Sequence, residues 1–248
     1  MNNEHQAEHH FHGAFADEYH FLQRICPPAA VMSRLVGEFV RDWAAPGHDR
    51  QLSVLELGCG TGFTTRHLLL GRTDIRLLSV DNAPAMLNQA REFLADAVEA
   101  GRLELREADA LGALRSQPDQ SVDIVASAYT LHNFLFGYRH QVLAEILRVL
   151  RPGGVFVNGD RYAMEDAAAH LANTQTELTG YFRILLDEMQ RPDLLEQWVL
   201  HHFSDESEEH LMKLSPQLAE MTELGFESLQ VHFRETVNAL VSGVKPWR

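Results

Sequence analysis

Apolar residues recur along this chain in two rhythms. Val31, Met32, Leu35, Val36, Phe39 and Val40 fall at i, i+3 and i+4 steps, which predicts an amphipathic helix. Pro27-Pro28 can open that helix, and Pro46-Gly47 ends the region. From Ser53 onward, short apolar runs alternate with helical ones. Ser53–Leu57, Arg76–Asp81, Leu103–Arg106, Val122–Ser127 and Val155–Asn158 predict strands. Helices are predicted from the glycine-rich loop through Leu70, from Ala83 to Ala100, and over Gln141–Leu150. Asn82 is the expected cap of the second, with Pro84 in its first turn and Gly101 as its stop. Repeated βα units of this length give a parallel sheet with right-handed crossovers.

The rhythm changes beyond residue 160. Met164 to Leu200 reads as mostly helix, and Ser215-Pro216 opens another that Gly225 ends. Ser228–Arg234 and Ala239–Val244 predict a closing strand pair. At the other end, the first dozen residues are polar and His-rich, the pattern of a mobile tail. Phe11, Phe15, Tyr19, Phe21 and Leu22 then follow at near-helical spacing. The fold class expected is α/β: a doubly wound sheet, mostly parallel with an antiparallel last strand. Residues 1–50 would form a tail and helical cap, 51–160 the core, 161–226 a helical insertion or lid, and 227–248 the last strands of the core sheet.

Composition narrows the function classes. Of 248 residues, 45% are apolar and 23% charged, an ordinary globular mixture. The net charge of −14 and the absence of Lys/Arg blocks argue against nucleic acid and favour a small-molecule substrate. No stretch approaches the roughly 20 apolar residues of a membrane span. There is no basic-then-apolar leader pattern, and two cysteines form no disulfide framework, so a cytoplasmic setting is expected.

The candidate chemistry begins at Val54-Leu55-Glu56-Leu57-Gly58-Cys59-Gly60-Thr61-Gly62. A predicted strand ends at Leu57 and a helix follows, with glycine at positions 58, 60 and 62. Glycine allows backbone angles closed to other residues and lets a ligand lie against the main chain. Taken alone, the same residues make a tight turn with no ligand. Asp81 ends the second strand, 19 residues after Gly62, where a carboxylate can accept from both ribose hydroxyls. Asp109, in Glu107-Ala108-Asp109-Ala110, follows the third strand; it can accept from an adenine amino group or simply be solvated.

With these residues in place, the chain resembles the class I S-adenosylmethionine (SAM)-dependent methyltransferase superfamily. The resemblance covers about residues 53–160. It includes Glu56 to Gly62, Ser79-Val80-Asp81-Asn82-Ala83-Pro84-Ala85-Met86-Leu87, Glu107-Ala108-Asp109, Ser121-Val122-Asp123-Ile124-Val125 and Leu150-Arg151-Pro152-Gly153-Gly154. A nicotinamide enzyme would more often show G-x-G-x-x-G spacing. The resemblance implies a Rossmann-like core with SAM as cofactor. The loop from Gly58 through Gly60 to Gly62 would hold its methionine part and Asp81 its ribose. Asp109 and Ala110 would take the adenine, and Asn82 and Met86 would flank the adenosine. Glu56 and Ala128 complete the expected cofactor set.

The fourth strand runs into Ser127-Ala128-Tyr129-Thr130-Leu131-His132-Asn133-Phe134. Amino-methylating relatives often place Asn or Asp, then Pro-Pro, near position 128. Ala128 departs from that pattern and points away from amide or nucleobase methylation. Tyr129, His132 and Asn133 are the candidate catalytic residues, with His132 a general base or a packing residue. Phe15, Tyr19, Phe134 and Tyr181 are the candidate substrate and lid residues. No metal is expected: His5, His9, His10 and His12 sit in the tail, and His201-His202 with Asp205, Glu206 and His210 lacks zinc-type spacing.

Over its whole length the chain is similar to carboxy-SAM synthases, which act on SAM itself. The carrying features are Phe15-Ala16-Asp17-Glu18, the Asp81-to-Met86 helix start, Met164-Glu165-Asp166 and the helical insertion. A counterpart of the arginine that binds the extra carboxylate in those enzymes is missing; Arg191 is out of register. Three functions stay open. The first is methyl transfer from SAM to a small molecule, most naturally at oxygen or another non-amide nucleophile. The second is conversion of SAM itself, by cyclisation to azetidine-2-carboxylate with release of methylthioadenosine, or by carboxy-SAM-type chemistry. The third is a non-catalytic SAM-binding subunit. The N-terminal helices could cover the site or make a homodimer contact.

Overall fold

The structure, a computed structural model, describes residues 22–44 and 50–247. Phe15 and Tyr19, two of the expected lid residues, lie outside the described residues.

Helices α1 (Leu22–Ile25) and α2 (Pro27–Asp42) precede the sheet. Then come β1 (Leu52–Leu57), α3 (Phe63–Gly71), β2 (Ile75–Asp81), α4 (Pro84–Phe93), α5 (Ala95–Glu99), β3 (Leu103–Glu107) and α6 (Ala110–Arg115). β4 (Val122–Ala128) leads through a 3₁₀ turn, Leu131–Asn133, into α7 (Phe136–Val149) and β5 (Leu150–Arg161). α8 (Ala167–Tyr181) continues as a π-helical turn, Phe182–Glu188, before α9 (Pro192–Asp205). α10 (Leu214–Leu224), β6 (Glu227–Glu235) and β7 (Asn238–Val244) complete the chain.

The seven strands lie in the order β3-β2-β1-β4-β5-β7-β6. β1 to β5 pair in parallel, and β7 runs antiparallel to both β5 and β6. Strand order therefore reverses between β1 and β4, and such switch points open a crevice beyond the strands' carboxyl ends. Period-two alternation sends neighbouring residues to opposite faces. Leu55, Val125 and Phe156 pack under α6, α7 and α10, whereas Val54, Ile124, Val155 and Val157 pack against Val36, Val40 and Leu68 of α2 and α3. A third apolar cluster joins Ile25 to Tyr181, Ile184, Leu185, Leu194, Leu195 and Trp198, forming a helical layer of its own. Met221 of α10 belongs instead to the sheet's core.

Two local expectations change. The helix anticipated over residues 83–100 breaks at Leu94 (φ −117°, ψ 24°) into α4 and α5. The break turns Leu94 inward, where its Cδ1 fills the space beside Gly62; a Cβ on that glycine would come within 2.7 Å. Asn82 is not the cap of α4. Ala83 holds the N-cap position, and its N–H is satisfied by the Asp81 carboxylate.

Candidate functional site

A cleft of about 790 Å³, its open mouth included, lies at the switch point. Its floor is the loop after β1, where Gly58, Gly60 and Gly62 have φ of 68°, 52° and 88°, the left-handed region that glycine tolerates. Gly58 is also a close approach: a Cβ there would lie 2.2 Å from Thr130 Oγ1. Asp81, at the tip of β2, fastens the loop. Its Oδ2 accepts from Gly60 N at 2.8 Å and its Oδ1 from Ala83 N at 2.9 Å. Burial pushes the Asp81 carboxyl pKa up, opposed by these N–H donors. Each oxygen has more than one acceptor direction, so further donors can be bound.

The cleft wall includes Val80, Asn82, Met86, Ala108 and Ala110 on the β2–β3 side, and Ala128, Tyr129, Asn133 and Phe134 on the β4 side. Gly58, Gly60, Asp81, Asn82, Met86, Ala110, Ala128, Tyr129, Asn133 and Phe134 thus meet at one cleft. Glu56 does not. It is fully buried beneath the loop, accepting from Thr65 Oγ1 at 2.7 Å and Ser79 Oγ at 2.5 Å, and burial raises its pKa to about 7. Gly62 is absent from the lining because it caps α3. Asp109 is turned to its own helix, where Oδ1 accepts from Gly112 N at 2.7 Å and from Tyr138 Oη at 3.2 Å. Ala29 and Ser33 of α2 line the cleft unforeseen. Amphipathicity shows that a helix face is buried, not what it covers.

Tyr129 leaves β4 with φ 52°, unusual for a residue with a side chain. Its N–H is held by Gly159 O at 2.9 Å, and its hydroxyl donates to Asn238 Oδ1 at the start of β7. That backbone turn makes Tyr129 part of two spaces. Behind it lies a smaller chamber of about 460 Å³, whose lining includes Cys26, Tyr129, His132, Asn133, Tyr181 and Trp198. Cleft and chamber share Tyr129 and Asn133 as a common wall. Asn133 Oδ1 is buried with no hydrogen-bond partner among the described residues.

The chamber's far end is polar. His132 Nδ1 sits 2.6 Å from Asp160 Oδ1, and Asp160 is fully buried. Burial works to lower the His132 pKa, but the Asp160 carboxylate outweighs it and the pKa rises. α9 brings His201, His202 and Asp205 to the same end. Burial, with cationic neighbours, pulls His201 down to about 3, so it is neutral. Arg161 lies at the chamber edge, clamped by both oxygens of Glu177 at 2.8 Å and by Glu206 Oε1 at 2.6 Å. Arg191 instead makes a surface pair with Asp193 at 2.6 Å.

The catalytic expectations Tyr129, His132 and Asn133 therefore converge, with Tyr181 opposite them. Cys26, Arg161, Trp198 and Asn238 were not foreseen. They come from segments far apart in the chain, and no local spacing links them.

The sheet and its crevice define a Rossmann-like α/β domain. Residues 55–158 match the family model "Methyltransferase domain". The chain is 25% identical over 214 residues to a carboxy-S-adenosyl-L-methionine synthase of Klebsiella pneumoniae, covering 83% of this chain and 81% of that protein. It is 27% identical, at the same coverage, to the synthase of Erwinia tasmaniensis. Among solved structures, the CurJ carbon methyltransferase superposes with a TM-score of 0.62 at 18% identity, over 91% of this chain and 57% of that one. A putative S-adenosyl-L-methionine-dependent methyltransferase of Methanococcus maripaludis gives 0.59 at 15% identity, over 93% and 90%. Over residues 55–158 the chain is thus similar to a methyltransferase domain, and the solved structures share its fold.

Proposed function

We propose that this chain is an enzyme that transfers the methyl group of SAM to a small acceptor held behind Tyr129 and Asn133. The observation that carries this reading is the shared wall: the cofactor cleft abuts a small, polar-ended chamber through those two residues. When bound, SAM supplies a methyl group already activated by a sulfonium. The protein's task is then mainly positioning and exclusion of water.

The cleft fits that cofactor. The free acceptor directions of Asp81 suit two ribose hydroxyls, and the apolar slot between Met86 and Ala110 suits a purine face. Asn133 Oδ1, buried and without a partner among the described residues, suits an ammonium group. The loop at Gly58 and Gly60 would carry the methionine part. On the acceptor side, Tyr129 and Asn133 would orient the reacting centre. His132, held through Nδ1 by Asp160, would bind the acceptor at the polar end of the chamber. Tyr181 would keep that space dry, and Phe134 would do the same for the cleft.

A second reading has its own support. The chamber is small, and the full-length relatives are named for making a SAM derivative. Chemistry within SAM itself, such as cyclisation with release of methylthioadenosine, fits a chamber that admits little else. Carboxy-SAM formation fits less well, because Arg161 is already neutralised by two glutamates and Arg191 faces Asp193. The deciding experiment incubates the pure protein with SAM, alone and with small-molecule extract, and identifies products by mass spectrometry. S-adenosylhomocysteine formed only with extract is expected. Methylthioadenosine from SAM alone would replace methyl transfer by the second reading, and no SAM binding would overturn both.

A further inference from the structure

We propose that His132, His201 and Asp205 form a binding site for a divalent first-row transition metal at the polar end of the chamber. Their ligand atoms all lie within 4.8 Å of one another, although they come from the β4 loop and from α9. His132 Nε2 is 3.8 Å from Asp205 Oδ2, and His201 Nε2 is 3.5 Å from the same oxygen. Those separations are long for an imidazole–carboxylate hydrogen bond. They are close to the spacing of neighbouring ligands around one ion, about 3.0–3.6 Å apart when each bond is about 2.1 Å.

Residues 201–210 lack a zinc-type spacing on their own, so the sequence alone points to no metal. The fold changes the arithmetic in two ways. On α9, His201 and Asp205 stand four residues apart and so share one helix face, the register helical metal sites use for paired ligands. The third ligand comes from elsewhere, and it is oriented as metal-bound histidines usually are. Ligating imidazoles typically give their other N–H to a carboxylate, which fixes the ring and leaves the opposite nitrogen's lone pair for the ion. His132 Nδ1 meets Asp160 Oδ1 at 2.6 Å. Asp160 is itself fixed by Leu131 N at 2.9 Å, Arg161 N at 2.8 Å and Asn158 Nδ2 at 3.2 Å.

Charge and space agree. The guanidinium in the chamber lining, Arg161, is tied to Glu177 and Glu206, while the Asp205 and Asp160 carboxylates lie against the imidazoles. Two imidazoles and one carboxylate select a transition ion over magnesium or calcium, and three protein ligands leave positions open. All three ligands line the chamber, together with Tyr129 and Asn133. If the chamber is the acceptor site, the ion would be the means by which His132 holds the acceptor, and the acceptor would present an oxygen donor. That last step rests on the functional reading above; metal binding itself does not.

The test uses the full chain with His5, His9, His10 and His12 changed to Gln, so that the tail cannot bind the probe. It is stripped with chelator and titrated with Zn²⁺ by calorimetry and with Co²⁺ by visible absorption. One equivalent of each is expected, with Co²⁺ giving ligand-field bands. His201→Gln and Asp205→Asn should abolish stoichiometric binding, and Asp160→Asn should weaken it by about 10–100-fold as loss of an outer-shell partner does. Absence of stoichiometric binding, or binding indifferent to His201→Gln and Asp205→Asn, would overturn the proposal. X-ray absorption of the zinc-loaded parent decides even where a variant misfolds: two imidazoles support the site, and a shell without them sinks it. SAM affinity measured on the same samples separates the readings. SAM binding without metal binding ends this proposal alone, and metal binding without SAM binding ends the functional one.

Discussion

The cleft at the switch point and the chamber behind it share a wall, yet they are built on different plans. The cleft is assembled from the ends of β1, β2 and β4 and from backbone. Gly58 and Gly60 contribute main chain, and Asp81 spends hydrogen bonds on loop N–H groups 21 and 2 residues away. The chamber is assembled from side chains. Arg161 reaches Glu177 and Glu206, His132 reaches Asp160, and Tyr129 reaches Asn238 across 109 residues. A backbone site is fixed once its strands pair. A side-chain site depends on charges compensating one another away from water, and it is lost when one partner goes.

The largest expected effect breaks the chamber and spares the cleft. Arg161→Met leaves Glu177 and Glu206 without their guanidinium, and removing one partner of a buried pair costs about 3–5 kcal/mol. Urea unfolding measures the loss. SAM affinity should stay within about threefold, because Arg161 lines the chamber and not the cleft; a large fall would show that the two halves are one unit.

Glu56 sharpens the comparison from beneath the cleft. Its folded pKa of about 7 lies above the 4.5 of an ordinary Glu, because burial opposes the charge. An acid with a raised folded pKa favours the native state most at low pH, and that advantage disappears as pH climbs from the unfolded value through the folded one. Stability should therefore fall by about 3 kcal/mol between pH 4.5 and pH 7.5 from this group. Glu56→Gln should flatten that slope and be the more stable protein at pH 8 in urea titrations. Parallel slopes for the two proteins would refute the assignment.

Asp81→Ala addresses the cleft directly. It removes the carboxylate that braces Gly60 and, on the proposed reading, would hold the ribose, so SAM affinity by calorimetry should fall about 100-fold, in the range for hydrogen bonds to a charged group. An unchanged affinity would mean that the ribose site has been misplaced. Tyr129→Phe is the mildest change. It deletes the hydroxyl bonded to Asn238, should cost about 1 kcal/mol in thermal unfolding, and should slow product formation without altering SAM affinity. A weakened SAM affinity would place the tyrosine hydroxyl at the cofactor.

What could be read from the sequence divides along the same line. β1, β2, β4 and the glycine loop were legible because each signal is contiguous: an apolar run, then glycines, then an acid at a strand tip. Glu56 shows the limit of that legibility. It belongs to the same motif, but strand alternation turns it under the loop toward Thr65 and Ser79. The helical layer was legible as helices and little more. Its π-helical turn at Phe182–Glu188 and the break at Leu94 are set by tertiary packing rather than by any local breaker residue. Arg161 sits beyond the apolar run that announced β5, so nothing marked it as part of the strand that delivers it to the chamber.

The backbone of Tyr129 carries one more consequence. At φ 52° a β-branched residue is strongly disfavoured, and only Gly, Asn or Asp enters that region readily. The wall between cofactor and chamber therefore sits at a position with a short list of tolerated occupants. Point mutations that would trim it to Val, Ile or Thr carry a folding penalty, while Gly opens it in a single relaxed step. Variation in what this fold accepts should accordingly accumulate around position 129, on the faces of α8 and α9, and leave the gatepost itself in place.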